Sequence, residues 1–343
     1  MNTQELEGPA LAQTYAVAGR FICVEADAPG AARLFGGHFA GWHVSPLEGD
    51  GGRPPDATIV VRQGRVPAAP RGLDSFETAP GGVCHTDGRT YFFESHGSAV
   101  LVRGESPRRV EVWVGERPAS RERGALARLV FEAAATALRR CGLFELHGAG
   151  LVEPVSGAGL LAVGPSGSGK STLATQLAAA GWRYLSDDIL LLRARGPRVE
   201  AHALRRQFAV TERTVAASVL VGLEDLLHEP QPFDPTKRRF EPQQVFPEGF
   251  SGACEPRAVF FPVVSHEPRS AARRLSQSET MRGLIRMCPW AAYDRAAAAE
   301  HLSVLAALAR QARGFELRAG TDLLRDAAHA SAFMRAAALG EAA

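Results

Sequence analysis

In the first third of the chain, short apolar, β-like runs are separated by polar turn signals rich in glycine and proline. "TIVVRQG" (Thr58–Gly64), "TYFFES" (Thr90–Ser95), "AVLVRG" (Ala99–Gly104) and "RVEVWVGE" (Arg109–Glu116) are the clearest strand candidates between these turn signals. Asp87-Gly88, inside "HTDGRTYFF", is a hairpin signal between two such runs. The pattern predicts a smaller, mostly β domain over residues 1–117. Its histidines, His38, His43, His85 and His96, show no ligand spacing and are read as solvated or core residues.

The period then changes. In "GALARLVFEAAATALRRCG" the apolar positions Leu126, Leu129, Val130, Ala133, Ala137, Leu138 and Cys141 form a helix stripe that Gly142 ends. "FELHGAGLV" and "GAGLLAVG" follow as strands, a helix runs to Gly181, and "WRYLSDDILLLR" reads as the next strand. A loop-rich stretch near 228–256 precedes the strand "AVFFPVV", a helix seeded by "SQSETMRGLIRM" and the helix "AAAAEHLSVLAALARQARG". "FELRAG" is a last strand and "TDLLRDAAHASAFMRAAALG" a terminal helix. Residues 118–343 therefore predict an α/β domain.

Within it, "VGPSGSGKST" supplies the full G-x-x-x-x-G-K-[ST] pattern in Gly164, Gly169, Lys170 and Ser171, between an apolar strand and a helix. Such a loop turns backbone N–H groups and a helix N-terminus onto phosphates. The candidate nucleotide-binding residues are Gly164, Ser166, Gly167, Ser168, Gly169, Lys170, Ser171 and Thr172, with ATP and Mg²⁺ as the expected ligands. Asp187 and Asp188 lie only 17 and 18 residues beyond Lys170, in a strand expected to run parallel to the phosphate-loop strand and beside it. One carboxylate can hold Mg²⁺, and the other can take a proton from an attacking hydroxyl. Ser171 and Asp187 are the candidate metal ligands, and which aspartate is the base stays open. Neighbouring strand residues face opposite ways, so both acids can act together only where the strand ends or bends.

Composition narrows the classes. The 343 residues are 45% hydrophobic and 22% charged with a net charge of +2, which argues against a nucleic-acid or membrane-surface binder. Five scattered cysteines without a C-x-x-C pair predict reduced thiols and a cytoplasmic protein. Neither a signal peptide nor a membrane span is expected. Of the 39 basic residues only two are lysine, Lys170 and Lys237, and the other 37 are arginine. Where arginine has replaced lysine almost everywhere, a retained lysine marks a position that needs a compact ammonium, which nominates Lys237 in "FDPTKRRFEP". "LSQSE" (Leu275–Glu279) lacks the glycines of an ABC-type signature and reads as a helix start with Ser276 or Ser278 as N-cap.

The order His147-Gly148, "GPSGSGKS", helix, "GWRYLSDD" resembles the catalytic domain of HPr kinase/phosphorylase, the bacterial P-loop serine kinase, over roughly Leu126 to Leu339. It looks closest to the smaller relatives in peptide-modifying biosynthetic clusters. The resemblance implies an HPr-kinase-type fold and an enzyme that moves the ATP γ-phosphate to a hydroxyl, serine above all, of a peptide or small protein. It also implies catalytic roles for Asp187, Asp188, His147 and Lys170, and a basic segment, Lys237-Arg238, that closes over the nucleotide. Homo-oligomerisation stays open. Thr172 stands where the HPr enzyme carries an acid, and residues 1–117 do not match its companion domain. Two other readings remain: a small-molecule P-loop kinase, and an ATP-binding regulator without transfer activity.

Overall fold

A computed structural model describes residues 11–48, 53–78, 82–104, 106–115, 123–217, 220, 222–228, 236–290 and 294–340. The chain forms two units, Met1–Leu143 with Asp294–Ala298, and Phe144–Tyr293 with Ala299–Ala343. The boundary expected at 117/118 lies outside the described residues. The helix Arg123–Arg140, which periodicity grouped with the second part, packs on the first unit's sheet.

The first unit is a nine-stranded sheet among the described residues. Its strands are β1 (Leu11–Val17), β2 (Arg20–Ala26), β3 (Ser45–Pro46), β4 (Ala57–Gln63), β5 (Asp74–Glu77), β6 (Gly82–Thr86), β7 (Tyr91–Ser95), β8 (Ser98–Val102) and β9 (Arg109–Val114), ordered β3-β1-β2-β4-β9-β8-β7-β6-β5. The four expected strands are β4, β7, β8 and β9. Asp87 makes the β6–β7 turn, its Oδ1 accepting the Arg89 and Thr90 N–H groups at 2.8 and 2.7 Å. Periodicity did not foretell α1 (Pro29–Phe39). It carries Gly36 and Gly37, poor helix formers, yet buries Ala31, Phe35 and Phe39 one turn apart. Helix α2 (Arg123–Arg140) buries Leu129, Val130, Ala133, Ala134, Ala137 and Leu138.

In the second unit, β10 (Leu143–Val152) and β11 (Gly159–Val163) pair antiparallel. After α3 (Lys170–Ala179) come β12 (Arg183–Ser186), β13 (Ile189–Arg195) and β14 (Arg198–Ala203). A two-stranded ribbon, β15 (Phe208–Thr211) with β16 (Lys237–Phe240), stands apart from the main sheet, and the short helix α4 (Glu212–Ala217) follows β15. Then follow α5 (Pro242–Val245), β17 (Ala253–Cys254), β18 (Pro256–Val264), β19 (Ala271–Arg274), α6 (Gln277–Arg286), α7 (Arg295–Gln311), β20 (Arg313–Ala319), α8 (Asp322–Arg325) and α9 (Ala327–Leu339). The main sheet runs β17-β14-β13-β10-β11-β18-β20-β19, with β12 paired to β10. β11, β18 and β20 are mutually parallel, so their C-terminal ends share one edge. Leu173, Ala174 and Leu177 of α3 pack with Phe260, Phe315, Leu317 and Met334 into the core of this unit. Helix α6 opens with a capping box, Ser276 accepting the Glu279 N–H at 3.2 Å and Glu279 accepting the Ser276 N–H at 2.8 Å. The expected terminal helix is divided at Asp326, whose carboxylate caps α9 through Ala328 and His329.

Two expectations change here. "WRYLSDDILLLR" is not one strand but two, broken at Asp187-Asp188. Nor does it lie beside the phosphate-loop strand: β10 is inserted between them, pairing β11 on one side and β12 on the other. This insertion brings His147 up against the acids.

Candidate active site

Strand β11 ends at Val163 and α3 begins at Lys170, and the glycine-rich loop between them is set by backbone demands. Gly167 and Gly169 have φ of +82° and +95°, a left-handed conformation that disfavours a side chain. A Cβ on Gly164 would stand 2.8 Å from Ser168 Oγ, so the loop closes only over a bare α-carbon there. Ser168 is buried under the loop, while Ser166, Gly167, Gly169, Lys170, Ser171 and Thr172 line a cavity of about 330 Å³. Gly164 and Ser168 thus shape the loop from beneath and do not face the cavity. Lys170 Nζ donates to the Gly164 and Pro165 carbonyls, both at 2.8 Å. Burial lowers its pKa to about 8 against the opposing pull of Asp188.

The strand break puts both aspartates on the same cavity. Asp187 is fully buried. Its Oδ2 accepts the Ala209 N–H at 2.8 Å, while Oδ1 has no hydrogen-bond partner among the described residues. Burial, reinforced by the neighbouring Asp188 charge, pushes its pKa up to about 6 against the pull of the Ala209 N–H, the Ser171 hydroxyl and Arg205. Asp188 is half-buried and clamped from two sides: His147 Nδ1 lies 3.2 Å from Oδ1 and Arg205 Nε 3.2 Å from Oδ2. Burial alone would raise it, but the His147 hydrogen bond and the Arg205, His147 and Lys170 charges hold it well below the usual carboxylate range. Its main-chain carbonyl accepts the Gly148 N–H at 2.9 Å, fixing β10 to the break. A Cβ on Gly148 would stand 3.0 Å from the Ala162 carbonyl oxygen, so the His-Gly pair permits close approach to β11.

The β15–β16 ribbon supplies the basic side. Lys237 Nζ donates to Ser166 Oγ at 2.8 Å and lines the cavity. Arg238, expected to bind the nucleotide, does not line it. Alternation along β16 turns Arg238 away, where its guanidinium donates to the Leu227 and His228 carbonyls at 2.8 and 3.0 Å. The residue on the Lys237 side is Arg239, whose pKa is lowered by burial and by Arg205 against the pull of Asp188 and Asp187. Sequence reasoning therefore missed Arg239 and Arg205, because in a chain with 37 arginines a functional arginine carries no compositional signal. It also missed Thr211 and Thr214, which line the cavity and bond in a chain, Thr172–Thr214 at 2.9 Å and Thr211–Thr214 at 3.1 Å.

The donor set fits a hard divalent cation. A buried carboxylate with one oxygen without a hydrogen-bond partner, next to the hydroxyl of Ser171, offers the oxygen ligands that Mg²⁺ takes. No cluster of three or more His, Cys, Asp or Glu able to hold a metal occurs among the described residues, which separates this pair-plus-hydroxyl arrangement from an all-protein metal cage.

A parallel core of β11, β18 and β20, a G-x-x-x-x-G-K-S loop running into a helix and an acid pair facing the same cavity define a P-loop nucleotide-binding domain of kinase-like type. The model of the AAA domain matches residues 160–231. Among solved structures, the chain is similar to the Hpr(Ser) kinase/phosphatase from Coxiella burnetii, at 14% identity and a TM-score of 0.25 over 38% of this chain and 77% of that one. A comparison with curated proteins gave no match. No helix among the described residues is long and apolar enough to cross a membrane.

Proposed function

We propose that the chain is an ATP-dependent phosphotransferase whose acceptor is a hydroxyl, serine in the first place, of a peptide or small protein. The observation that carries a transfer role is the unequal pair. Asp187 is buried beside Ser171, while Asp188 faces the cavity, ionised and oriented by His147 and Arg205. A nucleotide sensor has no need of the second carboxylate. The preference for a peptide hydroxyl rests on the HPr-kinase-like order of His147-Gly148, the loop and the acid pair.

In this reading the backbone of residues 164–171, Lys170 and Lys237 bind and neutralise the triphosphate. Asp187 and Ser171 would hold Mg²⁺, which supplies further neutralisation of the phosphates when bound. The acceptor oxygen forms a bond to the γ-phosphorus as the bond to the β–γ bridging oxygen breaks, and the hydroxyl proton passes to Asp188. In a loose transition state that proton leaves late, so a well-placed carboxylate serves better than a strongly basic one. His147 and Arg205 do the placing. Most of the rate then comes from position and charge.

The test is γ-labelled ATP with Mg²⁺, the purified chain and a size-fractionated lysate of its host, with Lys170→Ala as the blank. Acid-stable, Lys170-dependent label in peptides or small proteins is the expected result. Label confined to metabolites would replace this reading with a small-molecule kinase, and nucleotide binding without any transfer would replace it with a regulator.

A further inference from the structure

The cavity does not end at the phosphate loop. Beyond Thr172 and Leu173 it continues along Val264, His266, Ala319, Leu323 and Leu324, a wall with hardly a polar side chain. Val264 is the last residue of β18 with His266 just beyond it, and Ala319 is the last residue of β20 with Leu323 in α8 just beyond it. Both strands are parallel to β11, so these loops leave the sheet at the edge that carries the phosphate loop. The join is close: a Cβ on Gly169 would stand 3.2 Å from Val264 Cγ2.

This wall is built rather than incidental. The two loops are stitched together by Ser265 N–H to the Ala319 carbonyl at 2.8 Å and Thr321 N–H to the Glu267 carbonyl at 3.0 Å. Asp322 accepts from the Ser270 backbone and hydroxyl at 2.9 and 2.5 Å, and Gln176 of α3 donates to the Leu324 carbonyl. Gly320 lets them approach this closely, since a Cβ there would meet the Arg269 and Glu267 carbonyls at 2.8 Å. Yet Val264 remains 37% exposed and Leu324 is half-buried, so the braced wall keeps apolar surface open to the cavity.

Resting on the nucleotide reading above, we propose that this wall is a base subsite that takes a purine through apolar packing and the His266 ring. Triphosphates alone would leave it unused, and a polar acceptor group would gain nothing from it. Aliphatic side chains flanking an aromatic ring suit a flat heterocycle, and the two-ring base covers more of the wall than the one-ring base does. The side chains here discriminate ring size more than the hydrogen-bonding edge.

Equilibrium binding of ATP, CTP and inorganic tripolyphosphate to the full chain with Mg²⁺ tests this, using the wild type and the uncharged polar variants Val264→Thr and Leu324→Asn. The expected result is that ATP binds about tenfold tighter than tripolyphosphate and CTP about threefold weaker than ATP. Each variant should abolish the ATP advantage while leaving tripolyphosphate affinity within about twofold of the wild type, which also shows that the variant is folded. Equal binding of ATP and tripolyphosphate by the wild type would overturn the subsite alone. So would retention of the ATP preference by both variants. Failure of the wild type to bind any of the three ligands would overturn the nucleotide reading and the subsite with it.

Discussion

Each unit of this protein holds a cluster of ionised groups, and the two are built to opposite ends. In the first unit Arg139 is buried between Glu132 at 3.1 Å and Asp294 at 3.2 Å, Arg140 reaches Asp294 at 2.8 Å, and Tyr91 and Thr136 donate to Glu132. Glu132, Thr136, Arg139 and Arg140 lie on one side of α2, and each charge has an opposite charge beside it. In the second unit the acids Asp187 and Asp188 adjoin each other, Asp187 Oδ1 has no hydrogen-bond partner among the described residues, and the cluster opens on a cavity. Burial of charge therefore does not mark a site by itself. Incomplete satisfaction facing a space does, because an unspent lone pair or an unbalanced charge represents free energy that only a ligand can recover.

That contrast can be broken by experiment. The largest expected effects are on transfer: Asp188→Asn should lower turnover by about 10²–10⁴-fold, and Lys170→Ala by at least about 10²-fold, measured with labelled ATP. Lys170→Ala should leave thermal stability nearly unchanged, whereas Asp188→Asn should reduce it by removing the charge that His147 and Arg205 hold. Arg139→Leu should cost about 3–5 kcal/mol in urea unfolding, because it leaves Glu132 buried without its ion partner and Asp294 with Arg140 alone. A small stability loss there would show that the first cluster is not the closed device described. Next in size, Asp187→Asn should stabilise the metal-free protein by about 1–2 kcal/mol, since it removes a buried charge held beside a like charge. A drop in melting temperature for that variant would place Asp187 with the structural cluster instead. Lys237→Arg should lower turnover by a smaller factor, about three- to tenfold, by replacing the ammonium on Ser166 with a planar fork. Unchanged turnover would undo the compositional argument for this lysine. The smallest effect is a null: all five cysteines are buried, with Cys84, Cys141 and Cys254 pushed up to about 12 by burial first of all, so the native protein should not react with a thiol reagent at pH 8. Unfolding should expose all five.

Much of this was legible before any coordinates. The phosphate loop, its flanking strand and helix, the acid pair and Lys237 carry local patterns or compositional contrast, and most of the loop, the first turn of the helix, both acids and Lys237 lie on the cavity. What could not be read was pairing between distant segments. Nothing local tells β10 to lie between β11 and β12, so the expected neighbourhood of the acids was off by one strand. The period of β16 predicts that Lys237 and Arg239 share a face, yet the basic run invited the choice of the adjacent Arg238. The helix α1 was hidden because its glycines contradict a stripe that only packing makes stable. Val264, His266 and Leu324, ordinary residues on separate loops, become one wall only through the parallel order of β11, β18 and β20.

Both lysines of this chain, finally, open onto a single cavity, one with its amine drawn down to about 8 by burial and the other resting on the loop serine. Elsewhere the basic surface is guanidinium. Acylating reagents, amine cross-linkers and enzymes that conjugate to lysine therefore find no side-chain amine on this protein except inside the phosphate site, and any such modification of a lysine is at the same time a modification of the site.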